Sequence, residues 1–276
     1  MDGKRVLITG GNSGIGIVTA RELAKQGAEV VLACRDTAKT AEALKVINAG
    51  ATVPAINLPV ELDNLDSVRD LAANFLNRYD RIDVLINNAG VFPPKQRITA
   101  DGFEMQMGVN HLSHFLLTHL LLDCLKASAP ARVVTVSSKL HKGGKINFDV
   151  FKGYEKYNSQ SAYNGSKLAN VLFGIELARQ LEGTGVTSNV LHPGAVSTDI
   201  VRDLPWLLRK IIGMIFISPE KGALTNIMLA GDPALAEING KYYDQCELTD
   251  YSSQADDEAL RKKLWDVSAA LTGLGG

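Results

Sequence analysis

Hydrophobic residues in this chain gather into short runs, separated by longer stretches in which they recur every three or four positions. The runs are Arg5–Thr9, Val30–Ala33, Val53–Asn57, Val84–Asn87, Arg132–Ser137 and Ser188–His192, with a short late one at Lys241–Tyr243. Most lack the polar alternation of a half-exposed strand. They read as strands buried on both faces, the mark of a parallel sheet covered by helices. Helical spacing lies between them. Gly14–Gln26 places Ile15, Val18, Leu23 and Ala24 on one side, and Asp66–Arg78 opens with acidic and hydroxyl residues that favour a helix start. Met105–Leu125, Ala162–Leu181, Pro219–Ala230 and Asp256–Leu271 follow. Strand and helix in alternation predict right-handed crossovers and a doubly wound α/β sheet of about seven parallel strands with helices on both faces. No repeat or low-complexity linker divides the chain, so residues 1–276 are expected to form a single domain.

Composition narrows this little. The length of 276 residues and a hydrophobic content of 46% supply a sizeable core. A net charge of −1 gives no footing for nucleic acid. Cys34, Cys124 and Cys246 are odd in number, far apart and without CxxC spacing, which suits thiols in a reducing compartment. Met1 is followed by a polar tripeptide and then the first strand, leaving no room for a signal peptide or N-terminal anchor. No apolar run reaches the length of a membrane span. The expected location is cytoplasmic.

The first strand ends in Thr9-Gly10-Gly11-Asn12-Ser13-Gly14-Ile15-Gly16, where a helix begins. Glycines there accept backbone angles other residues avoid and let a ligand approach the main chain. The helix start offers unpaired N–H groups to a pyrophosphate. A glycine-rich turn alone is weak, but its place between first strand and helix points to a dinucleotide in a Rossmann-type fold. The second strand ends in Cys34-Arg35-Asp36. An adenine ribose with a free 2′-hydroxyl wants a carboxylate at this strand end, and a 2′-phosphate wants a cation. Cys34 stands at the carboxylate position, Arg35 follows and Lys39 lies one helical turn on. Guanidinium suits phosphate through its forked donors. The cofactor expected is NADP(H), with NAD(H) still open through Asp36.

Tyr163 and Lys167 are four apart on a helix, hence on one face. A nearby ammonium, like the positive nicotinamide of an oxidised cofactor, favours the phenolate and makes tyrosine usable for proton transfer. A Tyr-x3-Lys pair alone carries little weight. It gains weight from its company: Asn87-Asn88-Ala89-Gly90 after the fourth strand, Asn110 in Val109-Asn110-His111-Leu112, Ser137-Ser138 ending the fifth strand, and His192-Pro193-Gly194 after the sixth. In an open α/β sheet those ends line the ligand crevice.

In this order the set closely resembles the short-chain dehydrogenase/reductase family, over essentially the whole chain. Ala33-Cys34-Arg35-Asp36, Asn110-His111-Leu112, Phe115-Leu116-Leu117-Thr118, Gly144-Lys145-Ile146 and Ser166 to Phe173 resemble its retinol dehydrogenase-like branch. That branch includes the WW-domain oxidoreductases and lies near the protochlorophyllide reductases. The resemblance implies that Asn110, Ser138, Tyr163 and Lys167 are catalytic. Ser138 would bond the substrate oxygen, Lys167 would also hold the nicotinamide ribose, and Asn110 would bind a water linking Lys167 to solvent. It implies cofactor contacts from Gly10, Asn12, Ser13, Gly14, Ile15, Gly16 and Arg35, and from Asn88, Ala89 and Gly90 near adenine. Pro193, Gly194, Val196 and Thr198 would flank the nicotinamide. Glu61-Leu62 stands where the family often has Asp-Leu, and Ser113 where relatives often have glycine. Relatives often pair through the helices at Met105–Leu125 and Ala162–Leu181, which allows a homodimer or homotetramer.

The reaction so implied interconverts a carbonyl and an alcohol on a lipophilic small molecule. Reduction of a conjugated C=C bond and a non-catalytic NADP(H)-binding regulatory role are the alternatives, though a pure binder would not need the phenol. Specificity falls to Lys139–Gln160 and Asp199–Ser218. The second segment, apolar around Trp206, is either a helix packed on its own domain or a lid over the substrate at about 199–218. Arg202, Arg209 and Lys210 would permit peripheral membrane contact. No metal site is expected: His111, His114, His119, His141 and His192 lack a completing ligand set and read as structural or surface residues.

Overall fold

The computed structural model describes residues 1–194 and 217–274. Its strands are β1 (Arg5–Thr9), β2 (Glu29–Cys34), β3 (Ile56–Pro59), β4 (Val84–Asn87), β5 (Ala131–Val136), β6 (Val186–His192), β7 (Tyr242–Asp244) and β8 (Glu247–Leu248). They form one sheet in the order β3-β2-β1-β4-β5-β6-β7-β8. Neighbours are parallel except β7 and β8, an antiparallel hairpin. The order reverses between β1 and β4, and outside the carboxyl ends of such a pair an open α/β sheet forms its ligand crevice.

The unbroken hydrophobic runs follow from two cores. Leu7, Val31, Leu85 and Val133 face one side of the sheet, while Val6, Ile8, Val30, Leu32, Val84 and Ile86 face the other. On the first side lie α3 (Leu65–Arg78), α5 (Ser113–Leu120), α7 (Ser159–Gln180) and α9 (Glu258–Leu271). On the second lie α1 (Gly14–Lys25) and α8 (Pro219–Gly231). No helix among the described residues is long and apolar enough to cross a membrane.

Four features differ from the sequence expectation. A helix, α2 (Ala38–Asn48), follows β2. It starts at Thr37, whose side chain accepts from the Thr40 N–H, and it buries only Thr40, Ala43 and Ile47, too few apolar positions to mark it. The third strand is Ile56–Pro59, not Val53–Asn57; it is an edge strand, where proline is tolerated. The eighth strand is a two-residue hairpin partner, too short to leave a run. Met105–Leu125 is broken into α4 (Met105–Met107), a π-helical turn at Gly108–Leu112, α5, and α6 (Leu122–Ala127). The Ser113 hydroxyl donates to the Val109 carbonyl at 2.7 Å, inside this widened turn.

The C-terminal helix α9 closes the first core. Trp265 lies 5.1 Å from the Phe115 ring and 5.9 Å from the Phe173 ring. Ser268 bonds His111 Nε2 at 2.8 Å, and Arg261 pairs at 3.2 Å with the buried Glu176 carboxylate of α7. The faces of α5 and α7 around Phe115 and Phe173 are therefore covered by the chain's own α9. These faces belong to the two helices through which relatives were expected to pair. Leu264 is 1% exposed within this contact. Leu264→Ala should cost about 2–5 kcal/mol, read as a lower urea midpoint at unchanged slope. A loss below about 1 kcal/mol would mean that α9 does not seal the core in solution.

Candidate active site

The glycine turn lies at the mouth of the crevice. Gly10 and Gly14 have φ of +66° and +53°, in the left-handed region where a side chain is strained. A Cβ on Gly16 would strike the Gly10 carbonyl and come within 2.7 Å of Asn88 Nδ2. Ser13 caps α1 in an extended conformation, with no cap bond from its hydroxyl. Asn88 ties this turn to β4. Its Nδ2 donates to the Thr9 carbonyl at 2.8 Å, and the Asn88 and Ala89 N–H groups donate to Thr9 Oγ1 at 2.9 and 3.0 Å.

At the end of β2, Arg35 is exposed and its carbonyl accepts from Thr40 Oγ1 at 2.6 Å. Asn12 Nδ2 donates to the same Thr40 hydroxyl at 2.8 Å, so the glycine turn and the Arg35 loop are joined. Cys34 is buried beneath them. Burial pushes its thiol up to about 11, against the backbone N–H groups of Asn12, Gly11 and Gly10. Glu61 is exposed after β3, with its N–H bonded to Ser67 Oγ at 3.0 Å, and Leu62 packs against the first core.

Across the sheet, β5 delivers Ser138 and α7 delivers Tyr163 and Lys167. Burial pushes the Tyr163 phenol up to about 12, and a side-chain hydrogen bond with Ser138 pulls against it. Lys167 is buried, with Nζ 5.7 Å from the Tyr163 ring centre and 3.1 Å from the Val136 carbonyl, to which it donates. Burial alone lowers its ammonium to about 8. The ammonium was expected to favour the phenolate; burial is the largest influence on the phenol here and holds it above its ordinary value. A Cβ on Gly90 would sit 3.3 Å from Lys167 Nζ, so the glycine keeps the approach to that ammonium open.

Asn110 lies in the π-helical turn, fully buried. Its Oδ1 accepts from the Val91 N–H at 2.7 Å, and its Nδ2 donates to the Val91 carbonyl at 3.1 Å and to Ser166 Oγ at 3.0 Å. The side chain thus staples the loop after Gly90 to α7. Pro193 and Gly194 end β6, Gly194 with φ +87°. Val196, Thr198 and the segment 199–216 lie outside the described residues.

Thr9 and Phe92 went unread in the sequence, and His141 was read there as a structural or surface residue. Thr9 is the acceptor that joins β1 to β4, and its hydroxyl lies 2.8 Å from His114 Nε2. Phe92 packs edge-on against Tyr163 at 4.8 Å between ring centres. His141 bonds the Ser138 carbonyl through Nδ1 at 2.6 Å. Strand-end position could have marked Thr9. No local pattern marks Phe92 or His141.

The chain matches the sequence profile of the short chain dehydrogenase family over residues 4–206. Retinol dehydrogenase 14 of Mus musculus is 46% identical, over 99% of this chain and 87% of its own length. Among solved structures, an uncharacterised protein from Mycobacterium paratuberculosis superposes with a TM-score of 0.81 at 34% identity, over 99% of this chain and 94% of its own. Pseudomonas aeruginosa RhlG, solved as an NADP active-site complex, gives 0.73 at 28% identity, over 88% and 95%.

Lys167 yields a prediction of its own. Its folded-state value of about 8 lies below the ordinary 10.5. Below about 8 the fold therefore carries the full cost of a buried charge. That cost fades as pH rises towards 10.5, where the unfolded chain also loses the proton. Lys167→Met should stabilise the unliganded protein near neutral pH by on the order of 3 kcal/mol, less the lost bond to Val136. The gain should disappear at alkaline pH. Melting temperatures across pH 6–11 check this, and a neutral-pH melting point at or below that of the parent would refute it.

Proposed function

This chain belongs to the short-chain dehydrogenase family, in its retinol dehydrogenase-like branch of alcohol and carbonyl oxidoreductases, and from that premise we propose that it is an NADP(H)-dependent enzyme interconverting an aldehyde or ketone and an alcohol on a lipophilic small molecule, with Tyr163 as acid/base. The observation that carries this reading is the meeting of Ser138, Tyr163 and Lys167 beside a glycine cradle at one end of the sheet.

The family binds NAD(P), and the residues here fit it. Gly10 and Gly16 carry no side chain that would collide with Ala89 and Asn88, which keeps the turn tight at the start of α1. In this reading Gly10, Asn12, Ser13, Gly14, Ile15 and Gly16 hold the pyrophosphate. Glu61, Leu62, Asn88, Ala89 and Gly90 serve the adenine side, and Pro193, Gly194, Val196 and Thr198 the nicotinamide. The preference for NADP(H) rests on exposed Arg35 and on a buried thiol, not a carboxylate, at position 34. The bound nicotinamide supplies or accepts the hydride.

The chain's own groups handle the oxygen. Ser138 orients it, and Tyr163, kept protonated by burial, donates its proton as negative charge develops there. Lys167, one turn along α7, brings positive charge to the same side. In the oxidative direction Tyr163 takes the alcohol proton instead. Phe92, edge-on against the phenol, gives the site an apolar side and supports a lipophilic substrate. Three free thiols support a cytoplasmic setting.

Tyr163→Phe removes the proton donor and leaves the cradle intact. Turnover of NADPH with lipophilic aldehydes and ketones should fall by about 10²–10⁴-fold, while NADPH binding by fluorescence titration stays within a factor of two or so. A variant that keeps full turnover ends the acid/base assignment. Arg35→Ala should raise KM for NADPH by roughly tenfold, about the 1.4 kcal/mol of one charge-assisted hydrogen bond, with NADH kinetics unchanged. Equal losses with both cofactors would remove Arg35 from 2′-phosphate recognition.

A further inference from the structure

The turn after Ser138 is not self-supporting. Ser138 begins a 3-10 turn, Lys139–Gly143, and its Oγ accepts from the Leu140 N–H at 3.3 Å. The His141 ring, fully buried, lies behind it. Nδ1 is 2.6 Å from the Ser138 carbonyl, and Nε2 accepts from the Ser252 N–H at 3.0 Å. A backbone N–H is an obligatory donor and a carbonyl an obligatory acceptor, so these partners fix a neutral ring with its proton on Nδ1.

Ser252 opens the segment that leads into α9. Gln254 in that segment donates through Nε2 to the Gly144 carbonyl at 3.0 Å, a second strap on the same turn. Further on, Arg261 is fixed to Glu176 of α7. The C-terminal segment thus grips the turn that carries Ser138 at one end and the helix that carries Tyr163 at the other. The groups around the ring are Lys142 on its own turn, Tyr242 of β7 with ring centres 4.8 Å apart, and His192 of β6. Burial and Lys142 both disfavour an imidazolium there.

We propose that His141 is a positioning residue for the reaction: as a neutral Nδ1–H tautomer bridging the Ser138 carbonyl and the Ser252 N–H, it holds the Ser138 hydroxyl against Tyr163 and makes that alignment depend on the C-terminal segment. The catalytic consequence rests on the function proposed above; the geometric part does not. His141 touches neither substrate nor cofactor. Its loss acts on the chemical step, through the placing of Ser138.

The test has two parts. In the wild-type protein, long-range ¹H–¹⁵N spectra should find the His141 proton on Nδ1, and hydrogen exchange should find the Leu140 and Ser252 amides protected. An Nε2–H ring or an imidazolium at neutral pH overturns the proposal. With the most active carbonyl substrate, His141→Ala should lower kcat by about 100-fold, the scale of a small misplacement, with KM for NADPH unchanged. His141→Asn should recover part of that loss, because its amide nitrogen stands near the Nδ1 position. Ser252→Pro, at a residue whose φ of −63° suits proline, removes the N–H and should lower kcat, while Ser252→Ala retains the N–H and should not. Unchanged kcat in His141→Ala, or a loss shared equally by kcat and NADPH affinity, refutes the proposal. If the wild type turns over none of the substrates, the proposed function fails and the positioning claim is judged by exchange alone. Loss of Leu140 protection in His141→Ala then supports it, and retained protection overturns it.

Discussion

Thr9 closes the point on which the site depends. Its carbonyl accepts from Asn88 Nδ2, and its hydroxyl accepts from two successive N–H groups after β4. These bonds join the ends of β1 and β4 where the strand order reverses, the one place in a doubly wound sheet where two neighbouring loops diverge. Without them the glycine turn and the Asn88-Ala89-Gly90 loop would share no fixed wall. Asn226 of α8 adds a contact to Asn88 Oδ1 at 3.4 Å, so the second-side helices hold the same junction.

Beyond that junction the site is built from groups that dislike where they are. Lys167 is buried with a carbonyl as its partner, and burial alone accounts for its lowered affinity for a proton. Tyr163 is pushed the other way by the same cause. Both shifts disfavour charge; near neutral pH only that of Lys167 is a cost to the unliganded fold, because the Tyr163 phenol is neutral folded and unfolded alike. That cost is acceptable because the surrounding frame is well satisfied: Asn110 uses both ends of its amide on Val91, and Ser137 Oγ donates to the Lys167 carbonyl. A site of this kind is stabilised from outside rather than by its own members.

The C-terminal segment belongs to this outer frame. Through Ser252 and Gln254 it holds the turn after β5, and through Arg261 and Trp265 it holds α7 and α5. The buried Glu176 carboxylate is shared by Arg179 and Arg261, a charge that burial permits only because it is paired on two sides.

What the chain reveals unaided is local. Apolar runs buried on both faces mark the strands, and glycines at a strand end mark the cradle. Tyr163 and Lys167, four apart, mark one helical face. Each of these follows from backbone geometry within a few residues, so a linear reading reaches it. The expected parallel sheet was legible for the same reason, whereas α2 and β8 were not, having too few buried residues to leave a period. The π-helical turn at Gly108–Leu112 was also invisible, because its apolar positions resemble those of an ordinary helix. Contacts across the chain were beyond reach: His141 meets Ser252 from 111 positions away, Arg261 meets Glu176 from 85, and Asn88 meets Thr9 from 79. Sequence spacing carries no distance information at that range, since only the packed sheet and helices determine which polar groups must find one another once water is excluded.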